Sequence, residues 1–336
     1  MKKVLLVLTG GTIGSCEKSG VISADPKSCR ILDIYHSRSF GSDIEFVTEM
    51  PYNILSENLN ADNWKTLIAF ILSYDLHDFE GIIITHGSDT LSYTSAMLGI
   101  CLHGMKLPVV ITASDFVPDD PRSNALANFK AAVDLILQKK SGVYTVYKNK
   151  TDKYANIFIP TRLCEADRIN DIFAHADGSA PAYIDENGLI SENNCSVELK
   201  KLETKENSIE INTRAIEFDK KVLLIHPYPD MNYDDILIND NVYAVLHVTY
   251  HSGTVSSDAA VLLDKCKEKN IPLFLCSLKN SRSLYETSNT LIKNGAVPLY
   301  NINTESAYAK LMLAAGLCPE NTEELMNTDM YYEILT

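Results

Sequence analysis

Short apolar runs rich in β-branched residues alternate with longer amphipathic stretches along the first half of the chain. The runs cover 4–8, 81–87 ("GIIITHG"), 107–114 ("LPVVITAS") and 142–149 ("GVYTVYKN"). The stretches between them, 62–74, 90–104 and 123–140, carry apolar residues at helical spacing. A strand that is apolar on both faces must be covered on both faces, and parallel neighbours need crossover helices. The pattern predicts an α/β fold with a large N-terminal, mostly parallel sheet and flanking helices. The alternation resumes with strands at 221–229, 242–250 and 271–277 and helices at 256–270 and 304–316, a smaller C-terminal α/β domain. Residues 188–215 are polar and poor in helix signals, and read as a linker or an edge ribbon. The expected division is 1–187, linker 188–215, and 216–336.

Charge narrows the function. The chain has 336 residues and a formal net charge of -14. Nucleic acid and anionic membrane are expected to be repelled over most of such a surface. No run approaches the roughly 18 apolar residues that span a bilayer. The start, "MKKVLLVLTGG", has an apolar run of only 4–8 and no small-residue cleavage site, so it reads as a first strand rather than a leader. Eight cysteines are scattered with no CxxC pair, which suits free thiols in a reducing cytoplasm. A small-molecule substrate is the expectation.

In open α/β sheets, ligands sit at the carboxyl ends of strands. Two polar clusters fall there. One is "TGGTIG", 9–14, after the first strand, and the other is "THGSDT", 85–90. The glycines at 10, 11 and 14 do not have the spacing of a dinucleotide fingerprint, and the GK[ST] ending of a phosphate loop is absent. The following 15–26 is polar and stopped by Pro26, so it reads as a mobile loop. Ser88 or Asp89 could serve simply as a helix N-cap. The same helix-start amides could also stabilise an oxyanion. Hydroxyls at two strand ends suit attack on a carbonyl, and a carboxylate in that mouth suits an ammonium group. His86 and His251 are candidates for a base, with a structural role the simpler account of each. No His/Cys/Asp set has zinc-ligand spacing, so no metal is expected.

"TGGTIG" followed by "THGSDT" resembles the L-asparaginase family, in its bacterial type I-like cytoplasmic form. The similarity extends through "SENLNADNW" (56–64), "LPVVITAS", "RSNALANFKAAVDL" (122–135) and the second domain. The resemblance implies an amidohydrolase that releases ammonia from L-asparagine, and in some members L-glutamine, without a cofactor. It implies a homodimer or homotetramer. Thr12 falls on the nucleophile, in a loop that closes over the substrate, with Gly11 beside it. Ser88 falls on a second threonine, and Asp89 on the aspartate that holds the substrate ammonium. Ser56 falls on the serine that binds the α-carboxylate, and Glu57 stands where many members have Gln. Val21 stands where a tyrosine is common, and Tyr285 matches the tyrosine that some relatives supply from the C-terminal domain. The chain departs from the family at Cys164, which aligns with a lysine, and at Thr254, where Asn is frequent. With that lysine missing, an amino-acid-binding pseudoenzyme or sensor, or an amidase for another amide, stands as an alternative. A component of an amidotransferase is a further one, though such relatives carry an extra N-terminal domain.

Overall fold

The computed structural model describes residues 1–18, 21–24, 29–38, 40, 43–205, 216–280, 283–317 and 319–336, with the backbone alone for 15–18, 21–24 and 319. The chain forms two compact units, Met1–Asn207 and Ser208–Thr336.

The larger unit is built on an eight-stranded sheet. Its parallel part comprises β1 (Lys2–Leu8), β4 (Ile44–Glu49), β5 (Phe79–Thr85), β6 (Val109–Thr112) and β7 (Val143–Tyr147). Val4–Leu8 of β1 is buried throughout, as an apolar run between two helical layers must be. It pairs with β4 on one side and β5 on the other, with Leu5 opposite Val47 and Ile82. The sheet continues antiparallel from β7 through β8 (Ala155–Phe158), β9 (Ala182–Ile184) and β10 (Ile190–Glu192). Within the segment read as a linker or an edge ribbon, Ile190–Glu192 is an edge strand paired with β9. Residues 206–215 lie outside the described residues.

Among the described residues of this unit are the α-helices α1 (Arg30–Ser37), α2 (Ala61–Ser73), α3 (Leu91–Leu102) and α4 (Ala125–Ile136). Asn60 and Asn63 close a capping box at the start of α2. Helix α3 is apolar on nearly every side and buried accordingly. Helix α1 and strand β4 have no counterpart in the sequence reading. The segment read as a mobile loop instead holds two short antiparallel strands, β2 (Ser15–Lys18) and β3 (Val21–Ala24), paired from Ser15↔Ala24 to Lys18↔Val21. The polar sequence after Thr12 carries no strand signal, and the two strands are defined by their backbone pairing. Val21 starts β3.

The smaller unit is a four-stranded parallel sheet in the order β11 (Lys221–Ile225), β12 (Val242–Val248), β13 (Leu273–Leu278) and β14 (Val297–Tyr300). Its core is filled by β-strand residues with Ala259, Leu262, Leu263 and Cys266 of α5 (Ala259–Glu268) and Leu291 of α6 (Glu286–Lys293). Helix α7 (Thr304–Leu317) packs on β11, β12 and β13, and α8 (Thr322–Asn327) packs on α7. The Lys310 side chain in α7 is fully buried. It donates to Glu333 Oε1 at 2.7 Å and to the carbonyls of Met326 (3.3 Å) and Thr328 (2.5 Å). Glu333 in turn accepts the N–H groups of Met330 and Tyr331. One buried ion pair therefore anchors the C-terminal segment to α7.

Candidate active site

Three loops of the larger unit meet at the carboxyl end of its parallel sheet. The chain leaving β1 bonds to both neighbours: Thr9 Oγ1 donates to Thr85 O at 2.8 Å, and Ile54 N donates to Thr9 O at 3.2 Å. Gly11 has φ +77°, and a Cβ there would lie 2.5 Å from Gly87 N and 2.6 Å from Gly87 Cα. Only glycine allows both that conformation and that approach. Gly87 is crowded from its other side, since a Cβ there would lie 2.4 Å from both Cβ and Oγ of Ser56. Backbone therefore meets backbone between "TGGTIG" and "THGSDT", and the Gly87 backbone meets the Ser56 side chain of "SEN". Thr12 and Ser88 each stand one peptide beyond the Gly11–Gly87 contact.

Thr12 opens a short 3-10 turn, Thr12–Gly14, and is half-buried. Ser88–Thr90 forms another such turn leading into α3, and Ser56–Asn58 a third. Ser56 is buried, and its Oγ donates to Asp89 Oδ2 at 3.3 Å. Thr90 Oγ1 donates to Ser56 O at 3.0 Å, a second tie between these loops. Asp89 is exposed, Ser88 half-buried and Glu57 exposed beside Ser56. Among the sequence candidates the structure thus gathers Gly11, Thr12, Ser56, Glu57, Ser88 and Asp89. Tyr285 stands in the smaller unit, 54% exposed, at the residue preceding α6.

His86 is not placed as a base. Its Nδ1 donates to Gly87 O at 2.8 Å, and Thr94 Oγ1 lies 3.1 Å from Nε2. Trp64 Nε1 donates to Thr94 Oγ1 at 2.9 Å, so a directed chain runs from indole to hydroxyl to imidazole. Burial presses the His86 pKa down to about 4, against a smaller raising effect of the Gly87 carbonyl. The ring is neutral and holds the loop. His251 is exposed and contacts the Ser252 hydroxyl at 3.1 Å.

A cavity of about 730 Å³ opens from Ser88 and Asp89. Its far wall carries Asp115, Glu165, Asp167 and Asp171, with Arg122, Lys150 and Arg168 as cations. Phe116, Tyr147 and Phe173 supply apolar surface. Cys164, the position that aligns with the family's lysine, is not among the lining residues; its Sγ faces Arg162 O at 3.9 Å. Arg162, two residues before Cys164, is buried and turned elsewhere, donating to Asp177 Oδ2 at 2.9 Å and Ser196 Oγ at 2.6 Å.

That network also brings together a set the sequence spacing did not reveal. One ligand atom each of His175, Asp177 and Cys195 lies within 4.8 Å of the others. Burial alone would raise the Asp177 pKa. Hydrogen bonds from His175 and Ser196, with the charges of His175 and Arg162, hold it well below the usual carboxylate range. With Arg162 on the same carboxylate oxygen, the cluster is an ion-pair network that opposes a further cation rather than a metal site. Sequence separation, not chemistry, concealed it.

The family model for the asparaginase N-terminal domain matches residues 3–171, just over half of the chain. Among curated proteins, the chain is similar to the D-type component of glutamyl-tRNA(Gln) amidotransferase from Methanosphaera stadtmanae, 28% identical over 85% of this chain. The match covers 66% of that protein's own length, slightly under two thirds. It is also similar to the same amidotransferase component of Saccharolobus solfataricus, 25% identical over 99% of this chain and 76% of that one. Among solved structures, the thermostable L-asparaginase from Thermococcus kodakarensis superposes with a TM-score of 0.79 at 21% identity, covering 99% of both chains. The probable cytoplasmic L-asparaginase from Campylobacter jejuni gives 0.76 at 18% identity, covering 98% of this chain and 100% of that one.

Proposed function

The chain belongs to the asparaginase family of amidohydrolases, and from that premise we propose that it hydrolyses the side-chain amide of L-asparagine, with L-glutamine as a second substrate, to the acid and ammonia. Thr12 Oγ attacks the amide carbonyl, ammonia leaves, and water cleaves the resulting acyl-enzyme. Backbone N–H groups beside Gly11 and Ser88 face the developing oxyanion. Asp89 takes the substrate ammonium in a charge-assisted contact, and Ser56 its α-carboxylate. Glu57 borders the side-chain pocket, and Tyr285, in the smaller unit, is the candidate for the tyrosine that some relatives supply from the C-terminal domain. The observation that carries this reading is the contact of three loops through Gly11, Gly87 and Ser56, which sets two hydroxyls and a carboxylate at one strand-end mouth.

The resemblance implies a homodimer or homotetramer in the cytoplasm, which we carry into this proposal; among the described residues no helix is long and apolar enough to cross a membrane. The test is ammonia release from L-asparagine and L-glutamine by the native chain and by Thr12→Ala. Release that disappears in Thr12→Ala, with an unchanged melting curve, supports the nucleophile. Stabilisation by L-aspartate without release from either amide points to a binding protein. The curated relatives favour a second reading, in which the ammonia is passed to a protein partner acting on a charged tRNA. Free ammonia release by the isolated chain at full rate counts against it.

A further inference from the structure

The cavity beside Ser88 needs a cation. Attack on an amide carbonyl builds negative charge at the strand-end mouth, and five carboxylates, Asp89, Asp115, Glu165, Asp167 and Asp171, already line this space. His86 cannot supply the charge, because burial keeps it neutral and both ring nitrogens face partners inside the loop. Cys164 cannot, because a thiol carries no positive charge. Three cations line the cavity, and two are committed to neighbours. Arg122 donates to Asp120 through Nε at 3.0 Å and Nη2 at 2.7 Å, and its guanidinium lies 4.0 Å from the centre of the Phe116 ring. Arg168 is 88% exposed with Glu165 at 4.0 Å.

Lys150 differs from both. Its ammonium makes no hydrogen bond or ion pair among the described residues, and its charge reaches Asp167 on the cavity wall. The backbone that carries it is fixed. Asn149 is buried; its Nδ2 donates to Phe173 O at 3.1 Å and its Oδ1 accepts Phe173 N at 2.9 Å. Asp152 Oδ2 accepts Asn149 N at 3.2 Å and closes the turn from the other side. The turn after β7 is therefore clamped to Phe173, which itself lines the cavity. A long side chain on a fixed turn, without a hydrogen bond or ion pair to any described carboxylate, lines the same cavity as Ser88 and Asp89.

We propose that Lys150 is the catalytic cation of this site, reaching from the β7–β8 turn to stabilise the negative charge that develops beside Ser88 during amide attack. The inference rests on the amidase reading. It moves the positive charge that Cys164 lacks to a different element of the sheet.

The test compares the native chain with Lys150→Met, Lys150→Arg and Lys153→Met. Lys153 is the control, because it lies in the same turn but points at Tyr154, 4.7 Å from its ring centre. Ammonia release from L-asparagine and L-glutamine is measured over substrate concentration, beside thermal-shift titrations with L-aspartate. The expected result for Lys150→Met is a kcat lower by roughly 10²-fold with KM within threefold, the size of removing one preorganised charge from an oxyanion site. Lys150→Arg, which keeps the charge, stays within about tenfold of native, and Lys153→Met within twofold, against that same loss. Native kcat in Lys150→Met, or an equal loss in Lys153→Met, overturns the proposal. If the native chain releases no ammonia from either amide, the amidase reading fails instead. Lys150 is then judged by L-aspartate: stabilisation lost in Lys150→Met upholds a cation in this cavity, and stabilisation retained overturns it. A native chain neither turned over nor stabilised overturns both.

Discussion

Replacing Gly87 by alanine isolates the contact that assembles the site. The backbone tolerates the change, since Gly87 has φ -81° and ψ 145°, ordinary extended values for any residue. Only space forbids it. The new methyl would lie 2.4 Å from Ser56 Cβ and Oγ. Rotating Ser56 moves its Oγ but not its Cβ, so the loop at 55–58 must retreat by about 1 Å to reach ordinary carbon–carbon separation. Overpacking of this size costs about 1–3 kcal/mol. For a unit of this length that is a fall in melting temperature of about 4–8 °C at the middle of the range. A shift of about 1 Å in a positioning residue costs on the order of 10²-fold in activity. The assays are a thermal melt and ammonia release from L-asparagine. In the double variant Gly87→Ala/Ser56→Gly, the clashing atoms are gone, so the melt returns toward native while KM stays high. An activity of Gly87→Ala within twofold of native would refute the claim that these loops meet so tightly. A melt that fails to recover in the double variant would show that the cost arises elsewhere.

Further outcomes follow from the same geometry. Thr12→Ala is expected to lose ammonia release by more than about 10³-fold while melting within about 2 °C of native, because the residue is half-buried and is the nucleophile of the proposed reaction; residual release at a tenth of native would remove Thr12 from the reaction. Lys310→Met strips the partner from a fully buried carboxylate and is expected to cost about 3–5 kcal/mol, read as lost amide-exchange protection in α7 and 322–336. A loss below about 1 kcal/mol would mean that Glu333 takes up a proton or finds another donor. Stability also depends on pH through His86. The unfolded imidazole binds its proton near its ordinary 6.5, whereas the buried ring resists until about 4. The unfolded state therefore holds more protons between these values. The contribution is fully present above pH 6.5 and is lost as pH falls toward 4, by at most about 3 kcal/mol. Denaturant midpoints that stay flat across this window would refute the neutral, buried assignment.

The sequence by itself determined the frame and the mouth of the site. β-branched runs that are apolar on both faces, such as 81–85, admit few solutions besides a covered parallel sheet, and the sheet dictates where ligands bind. Glycines at 10, 11 and 87 beside hydroxyls marked the strand ends, because close backbone approach leaves a local chemical trace. Helix α1 and strand β4 left weaker traces, since β4 is only partly buried and its pattern fades. Strands β2 and β3 left almost none in a largely polar stretch, and are known from their backbone pairing. Tertiary structure alone decided the rest. That Arg162 points to Asp177 and Ser196, that Cys164 does not line the cavity, and that Lys150 does, all depend on strands crossing in space. The buried pair of Lys310 and Glu333 reads in sequence as two ordinary surface charges, 23 residues apart. Side-chain chemistry is written residue by residue, but the dielectric around each charge, and the company it keeps, exists only once the chain has folded.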